Sequence, residues 1–330
     1  MLKFIGKRLL MMIPVLIGVA LITFSMMYFS PGNAADFVLG DMATESDKQI
    51  FIEENGLDDP FVVQFVNYVK GAVTGDLGTS YTTKQPVLNE IMDSFPVTLK
   101  LSFYSIIFAV LIGVTLGIIS AVKQYGILDN VCRILAMLGV SMPSFWEGLM
   151  LIIIFSVHFG WLPSSGISTW TCWILPSFTL STKTLATCMR MARSSMLEAI
   201  RDDYVRTARA KGQTEFRVIM HHAFRNAMLP VITVVGTDFA KLLGGAAVIE
   251  TVFSIPGIGK LIVDAINYKN APLVQGGILF IAFIMSFINL LVDIIYAYVD
   301  PRIRSQYGGF GSRRKLMKTF KKGGAEVETA

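Results

Sequence analysis

Charge is the scarcest property of this 330-residue chain: Asp, Glu, Lys and Arg together make up only 16% of it, against about a quarter in a soluble domain. Histidine occurs three times, as His158, His221 and His222, which excludes an HExxH zinc helix. No GxSxG nucleophile elbow is present. Of the three cysteines, Cys132, Cys172 and Cys188, none forms a CxxC, and all lie in or beside apolar runs. That excludes a disulfide framework and reads as three buried thiols. The nearest thing to a phosphate loop, SIPGIGKL at 254–261, lacks the glycine required at Ser254 and the hydroxyl required at Leu261. The chain therefore reads as a non-enzyme that binds no metal or cofactor itself, and nothing in it points to nucleic acid.

What it has in abundance is apolar surface: 53% of residues are hydrophobic and the mean hydropathy is +0.58. Six runs approach the ~20 apolar residues needed to cross hydrocarbon. They lie near 9–29, 101–122, 134–157, 173–192, 228–253 and 273–299, the fourth interrupted by Pro176 and Lys183. The expected fold is all-α, a polytopic membrane protein with six transmembrane helices. Lys3, Lys7 and Arg8 ahead of the first run imitate a signal peptide, but the run is long and SPGNAAD offers no clear A-x-A site. An uncleaved first helix is expected instead. Gly113 and Gly117 make a GxxxG in the second run, a mark of close helix packing.

Basic residues set the orientation. They precede the first run, lie between the second and third (Lys123, Arg133), crowd the stretch between the fourth and fifth, and fill the C-terminal tail. All fall on one side if both termini are cytoplasmic. Residues 1–30 then form the N-terminal transmembrane helix, and the acidic segment 31–96 is extracytoplasmic. Residues 97–306 form a five-helix core carrying a cytoplasmic loop at 193–227, and 307–330 are a basic, disordered tail resting on anionic lipid. Within 31–96, FVVQFVNYVKGAVTG at 61–75 has amphipathic helical spacing and Gly75–Gly78 reads as a turn; this part is expected to cap the membrane core or meet a partner.

Five ionisable groups fall inside the runs: Glu147, Lys183, Asp238, Lys241 and Asp293. Each charge left in lipid costs at least about 2.5–3.5 kcal/mol, so all should face protein or water. They either line a polar path or pair between helices; Asp238 and Lys241, at i,i+3, can neutralise one another.

The most informative stretch is LEAIRDDYVRTARAKGQTEFRVIMHHAFRNAMLP at 197–230. Tyr204, Ala208 and Lys211 keep helical spacing, Gly212 breaks it, and Phe216, Ile219 and His222 resume it. Gly212 suits a sharp joint between two short helices, with Ala208 and Ala210 leaving room for another surface. An interfacial helix on acidic headgroups would also favour these basic residues, but Gly212 cuts the broad apolar face such a helix needs. A docking surface is the expectation.

At this loop the sequence resembles the permease subunits of ATP-binding-cassette importers, specifically the dipeptide/oligopeptide/nickel group and its first, "B"-type, permease. The likeness also runs through KRLLMMIPVLIGVALITF, GLDDPFVVQFVNYVKGAVTGDLGTSY, FPVTLKLS, SMPSFWEGLMLI, VIETVFSIPGIGKL and YVDPRIR. Arg206-Thr207-Ala208 stand where the broader pattern has Glu-Ala-Ala, and Arg225 stands where it has a proline. The resemblance implies a type I importer permease fold in the cell membrane and a second, similar permease beside it. It further implies two cytoplasmic ATPase subunits that bind ATP and Mg²⁺, an extracytoplasmic binding protein, and a peptide, nickel-chelate or glutathione cargo. Tyr204, Arg206, Thr207, Ala208, Lys211, Gly212, Phe216, His222 and Asn226 would form the ATPase docking surface. The alternative from another class is a self-sufficient secondary transporter, which would need an inverted repeat and a coupling-ion site at midplane.

Overall fold

In a bilayer only the helix itself can satisfy a lone segment's backbone N–H and C=O groups, and the apolar runs fold accordingly. The computed structural model describes residues 2–32, 34–40 and 43–299. It begins with α1 (Leu2–Tyr28), α2 (Ala34–Leu39), α3 (Glu45–Glu54), α4 (Phe61–Thr74) and α5 (Val87–Val122). Next come α6 (Ile127–Ser141), α7 (Ser144–Leu151) with a π-helical run Ile152–His158, and α8 (Ile174–Arg201). The loop holds α9 (Asp203–Ala210), α10 (Glu215–Arg217) and a second π-helical run, Val218–Ala223. The chain continues as α11 (Phe224–Val252), α12 (Ile258–Asn267) and α13 (Ala271–Val299). Among the described residues there is no strand, only an isolated bridge between Thr79 and Pro86. The fold is all-α, as expected.

Six uniform spans are not what forms. Four helices, Ile5–Tyr28, Val87–Val122, Glu215–Val252 and Ala271–Ile295, are long and apolar enough to cross a membrane. A fifth span exists only if α6 and the α7 helix are counted together, and these meet at 109°. The expected rod at 134–157 is thus broken, because Pro143 drives Met142 into extended backbone (φ −75°, ψ 136°) and offers no N–H to the ladder. The run at 173–192 becomes the 28-residue α8, which is long enough but too polar to count by composition. Its buried positions include Ser177, Thr179, Ser181 and Thr184, and the helix packs against α5, α6, α7 and α11. A helix shielded by protein has no need of an apolar surface all round.

The α5–α8 contact is backbone against backbone. A Cβ on Gly113 would stand 2.6 Å from the Leu185 carbonyl oxygen, and one on Gly117 2.6 Å from that of Met189 and 2.7 Å from the Ala192 Cβ. The GxxxG therefore serves close packing inside one chain. At the end remote from the basic loop, α4 is held against α1 by rings: Phe24 meets Phe61 and Phe65 edge-on at 5.2 and 5.4 Å and stacks on Tyr68 at 6.0 Å. The turn expected after it forms at Gly75 (φ +84°), where the Asp76 N–H donates to the Gly71 carbonyl at 2.9 Å. Asn270, fully buried, donates to Ser80 Oγ at 2.8 Å and accepts from the Tyr81 N–H, fixing the 79–86 loop to the head of α13. The basic tail at 307–330 lies outside the described residues.

Gly117→Val should overpack the α5–α8 seam at a cost of about 1–3 kcal/mol. Thermal unfolding of the detergent-purified protein should show a lower midpoint, whereas Gly18→Val, where a Cβ meets nothing within 4 Å, should leave it unchanged.

Candidate functional site

The basic loop is built on a small apolar floor. Only Asp202, in extended backbone, separates α8 from α9. On α9, Val205 and Ala208 turn inward, packing with Ala121, Met196, Ala199, Val218, Ala223 and Ala227. Tyr204, Arg206 and Thr207 stay outside. Gly212 takes φ +74°, and a Cβ there would meet nothing within 4 Å, so the glycine serves the left-handed turn and not a tight approach. Two side-chain pairs brace that turn. The Arg209 guanidinium forks onto Glu215, Nε to Oε1 at 2.7 Å and Nη2 to Oε2 at 3.3 Å; the bonds to this carboxylate hold the Arg209 pKa above its ordinary value. His222 Nε2 and Gln213 Oε1 lie 2.8 Å apart.

Of the nine residues expected to form a docking surface, Tyr204, Arg206, Thr207, Lys211, Gly212, Phe216 and Asn226 are exposed and His222 is half-buried. Ala208 is the correction: at 5% exposure it belongs to the floor and offers nothing to a partner. Phe216 is 77% exposed, a large aromatic side chain standing clear among charged neighbours.

Four of the five intramembrane charges have defined side-chain partners. Thr182 on α8 donates to Glu147 Oε1 at 2.5 Å, joining α7 to α8. Asp238 and Lys241 pair at 2.8 Å along α11. Asp293 of α13 pairs with Arg8 of α1 at 3.0 Å. Lys183 is exposed on α8. These groups are spread over the bundle, and pairing accounts for most of them.

Two buried carboxylates were missed by sequence reasoning. Asp129 of α6, fully buried, takes a bidentate grip from Arg193 of α8, with both N–O distances 2.8 Å. Ser120 of α5 donates to the same carboxylate, so three helices meet at one charge just above the loop. The available signal was a lone acid between Lys123 and Arg133. Glu250, also fully buried, accepts from Thr98 of α5 at 2.5 Å and from the Lys260 N–H at 2.9 Å. Thr98 Oγ1 in turn accepts the Ile258 N–H at 2.9 Å. Glu250 thus joins α5, α11 and the first turn of α12. Gly257 leaves the carboxylate its place: a Cβ there would run into the Glu250 carboxyl group and push it off its partners. The string SIPGIGKL, rejected as a phosphate loop, cradles the chain's own carboxylate. Among the described residues no three His, Cys, Asp or Glu side chains converge as a metal site would require.

Residues 113–305 match the family model described as "Binding-protein-dependent transport system inner membrane component", and residues 1–102 match the model for its N-terminal part. The chain is 44% identical over 332 residues to a dipeptide transport system permease protein of Alkalihalophilus pseudofirmus, covering 92% of this chain and 100% of that protein. It is 41% identical over 304 residues to a glutathione transport system permease protein of Escherichia coli O6:H1, covering 92% and 99%. An inward-facing structure of the MetNI methionine ABC transporter superposes with a TM-score of 0.54 over 64% of this chain and 96% of that one, at 19% identity. That last likeness shows the fold alone.

Asp129→Ala should leave Arg193 without its carboxylate, with only Ser120 Oγ still accepting from it at 3.1 Å, and cost about 3–5 kcal/mol, lowering the unfolding midpoint of the purified protein by about 10 °C. Adding Arg193→Met should restore most of the loss; a double variant as unstable as the single one contradicts the pairing.

Proposed function

The chain belongs to the family of binding-protein-dependent transport system inner membrane components, and from that premise we propose that it conducts di- and oligopeptides as a permease subunit of an ATP-binding-cassette importer. As a member of that family it is a multi-pass membrane protein working with a binding protein and an ATPase. The observation that supports a peptide cargo is its 44% identity, across all of the relative's length, to a dipeptide permease. The glutathione relative, at 41%, supports a second reading in which the cargo is that tripeptide.

The basic loop faces the cytoplasm in this reading, with both termini on the same side. Two ATPase subunits carry ATP and Mg²⁺, a second permease of similar fold lies alongside, and the binding protein approaches from the opposite face. Tyr204, Arg206, Thr207, Lys211, Gly212 and Phe216 present the docking surface, with Phe216 as its anchor, the kind of protruding aromatic that fills a partner's pocket. Closure of the ATPases on nucleotide displaces α9. Because the Arg209–Glu215 fork and the apolar floor tie α9 to α8 and to the start of α11, the displacement enters both long helices together. At the far end of α11, Glu250 carries it to α12.

Phe216→Ala should reduce ATP-driven dipeptide uptake by the reconstituted complex roughly 30-fold or more, the loss of an anchor worth about 2 kcal/mol, with membrane abundance unchanged. Gly212→Asp should act the same way, since Asp tolerates the left-handed turn while placing a carboxylate on the docking face. Normal uptake by both variants removes the docking role. Uptake driven by an ion gradient without ATPase subunits removes the importer reading altogether.

A further inference from the structure

The segment 31–96 reads from its sequence as lying outside the membrane, yet α4 does not sit where an aqueous cap belongs. It runs antiparallel to α1 and alongside it. Phe61 meets Tyr28 at 5.1 Å and stacks on Phe29 at 5.9 Å, while Tyr68, two turns on, stacks on Phe24. Val69, Ala72 and Val73, further on again, share an apolar crevice of about 420 Å³ with Leu16, Ile17 and Ala20 of α1 and with Leu279, Phe280 and Phe283 of α13. Both of those helices are membrane spans. From Tyr28 to Ile17 is about 16 Å of helix, roughly half of a ~30 Å hydrocarbon core.

The side chains of α4 are sorted to match that position. Phe61, Phe65, Tyr68 and Ala72 form the stripe against α1. Val62, Val66, Val69 and Val73 form a second stripe at i, i+4, i+7 and i+11, and of these Val62, Val66 and Val73 are 67%, 41% and 83% exposed. This stripe is continuous with the exposed Ile17 and Phe283 on the rim of the crevice. On the opposite flank Gln64, Asn67 and Gly71 face a cavity of about 640 Å³ that also holds Asp59, Asp76 and Lys269. The turn beyond Thr74 satisfies three of its own N–H groups: Gly75 N–H to Ala72, Asp76 N–H to Gly71, and Gly78 N–H to the Asp76 carboxylate. Backbone at membrane depth must do so, and irregular backbone is tolerated there only beside protein or a water-filled cavity. Lys70, one turn past Val66, has a stem long enough to carry its ammonium to the surface.

We propose that α4 is a re-entrant half-span, inserted beside α1 into the leaflet remote from the basic loop, with its valine stripe against lipid acyl chains and its Gln64–Asn67 flank on a water-filled cavity. At 14 residues it is too short to cross, which is the length expected of a re-entrant segment. The same arrangement gives the bundle an aqueous vestibule below the level of the lipid headgroups.

The test places a spin label at Val73→Cys, at Val62→Cys and at Asn67→Cys in turn, in the full complex reconstituted in liposomes; the three native cysteines are buried, and the unsubstituted complex measures their background. Power saturation is then read with oxygen, which concentrates in the bilayer, and with a water-soluble nickel chelate. The Val73 label should relax several-fold more with oxygen than with nickel, Val62 should show a smaller oxygen preference because it lies shallower, and Asn67 should prefer nickel. A Val73 label that prefers nickel puts α4 in water and overturns the inference. A Val73 label shielded from both relaxants means protein covers the stripe, and overturns it equally.

Discussion

The approach of α5 to α8 across Gly113 and Gly117 is the constraint on which the rest of this structure depends. With no Cβ at either position, two backbones come close enough for helix carbonyls and small side chains to pack directly. That burial lets α8 be the most polar of the long rods while it stands in the middle of the bundle. It lets the half-helices α6 and α7 lean on α8, through Gly139 at Thr182 and through the Glu147–Thr182 bond. It also aligns Ser120 and Arg193 so that both reach Asp129. Were α5 held further out, that carboxylate would lose the partners that make its burial tolerable.

Much of this was legible in the sequence, and the failures have physical reasons. Hydropathy located α1, α5, α11 and α13 because those helices face lipid along much of their length. It placed α8 at 173–192 but only as the weakest run, since a rod enclosed by other rods carries little lipid-facing signature, and it ran α6 into α7 because Pro143 disturbs backbone without lowering apolarity. The turn at Gly212 was readable from a glycine between two helical patterns. The inward face of α9 was not separated from its outer face, so Ala208 was assigned to a partner when it packs beneath its own helix. The roles of Asp129 and Glu250 were missed because their partners lie on other helices, 64 residues away in the case of Arg193 and 152 in the case of Thr98, so that only the isolation of Asp129 between Lys123 and Arg133 hinted at one of them.

The two ends of α11 connect these local facts to transport. One end rises from the floor of the basic loop, and the other carries Glu250, clasped by Thr98 and the first turn of α12. The rod between them spans 29 residues, about 43 Å at 1.5 Å each, longer than the hydrocarbon core. A push at the loop and a rearrangement around α12 are therefore opposite ends of one element. Family membership implies an ATPase partner, and in the proposed reading that partner grips the loop at the bonded joint of Gly212 and the exposed Phe216.

The most direct measurement is a photocrosslink from position 216. A benzophenone amino acid installed there, in the complete transporter in native membranes, should join this chain to an ATPase subunit, with a yield that changes when nucleotide is trapped in that subunit. Adducts formed only with phospholipid, or a yield indifferent to nucleotide, would contradict the account of a gate driven through this loop.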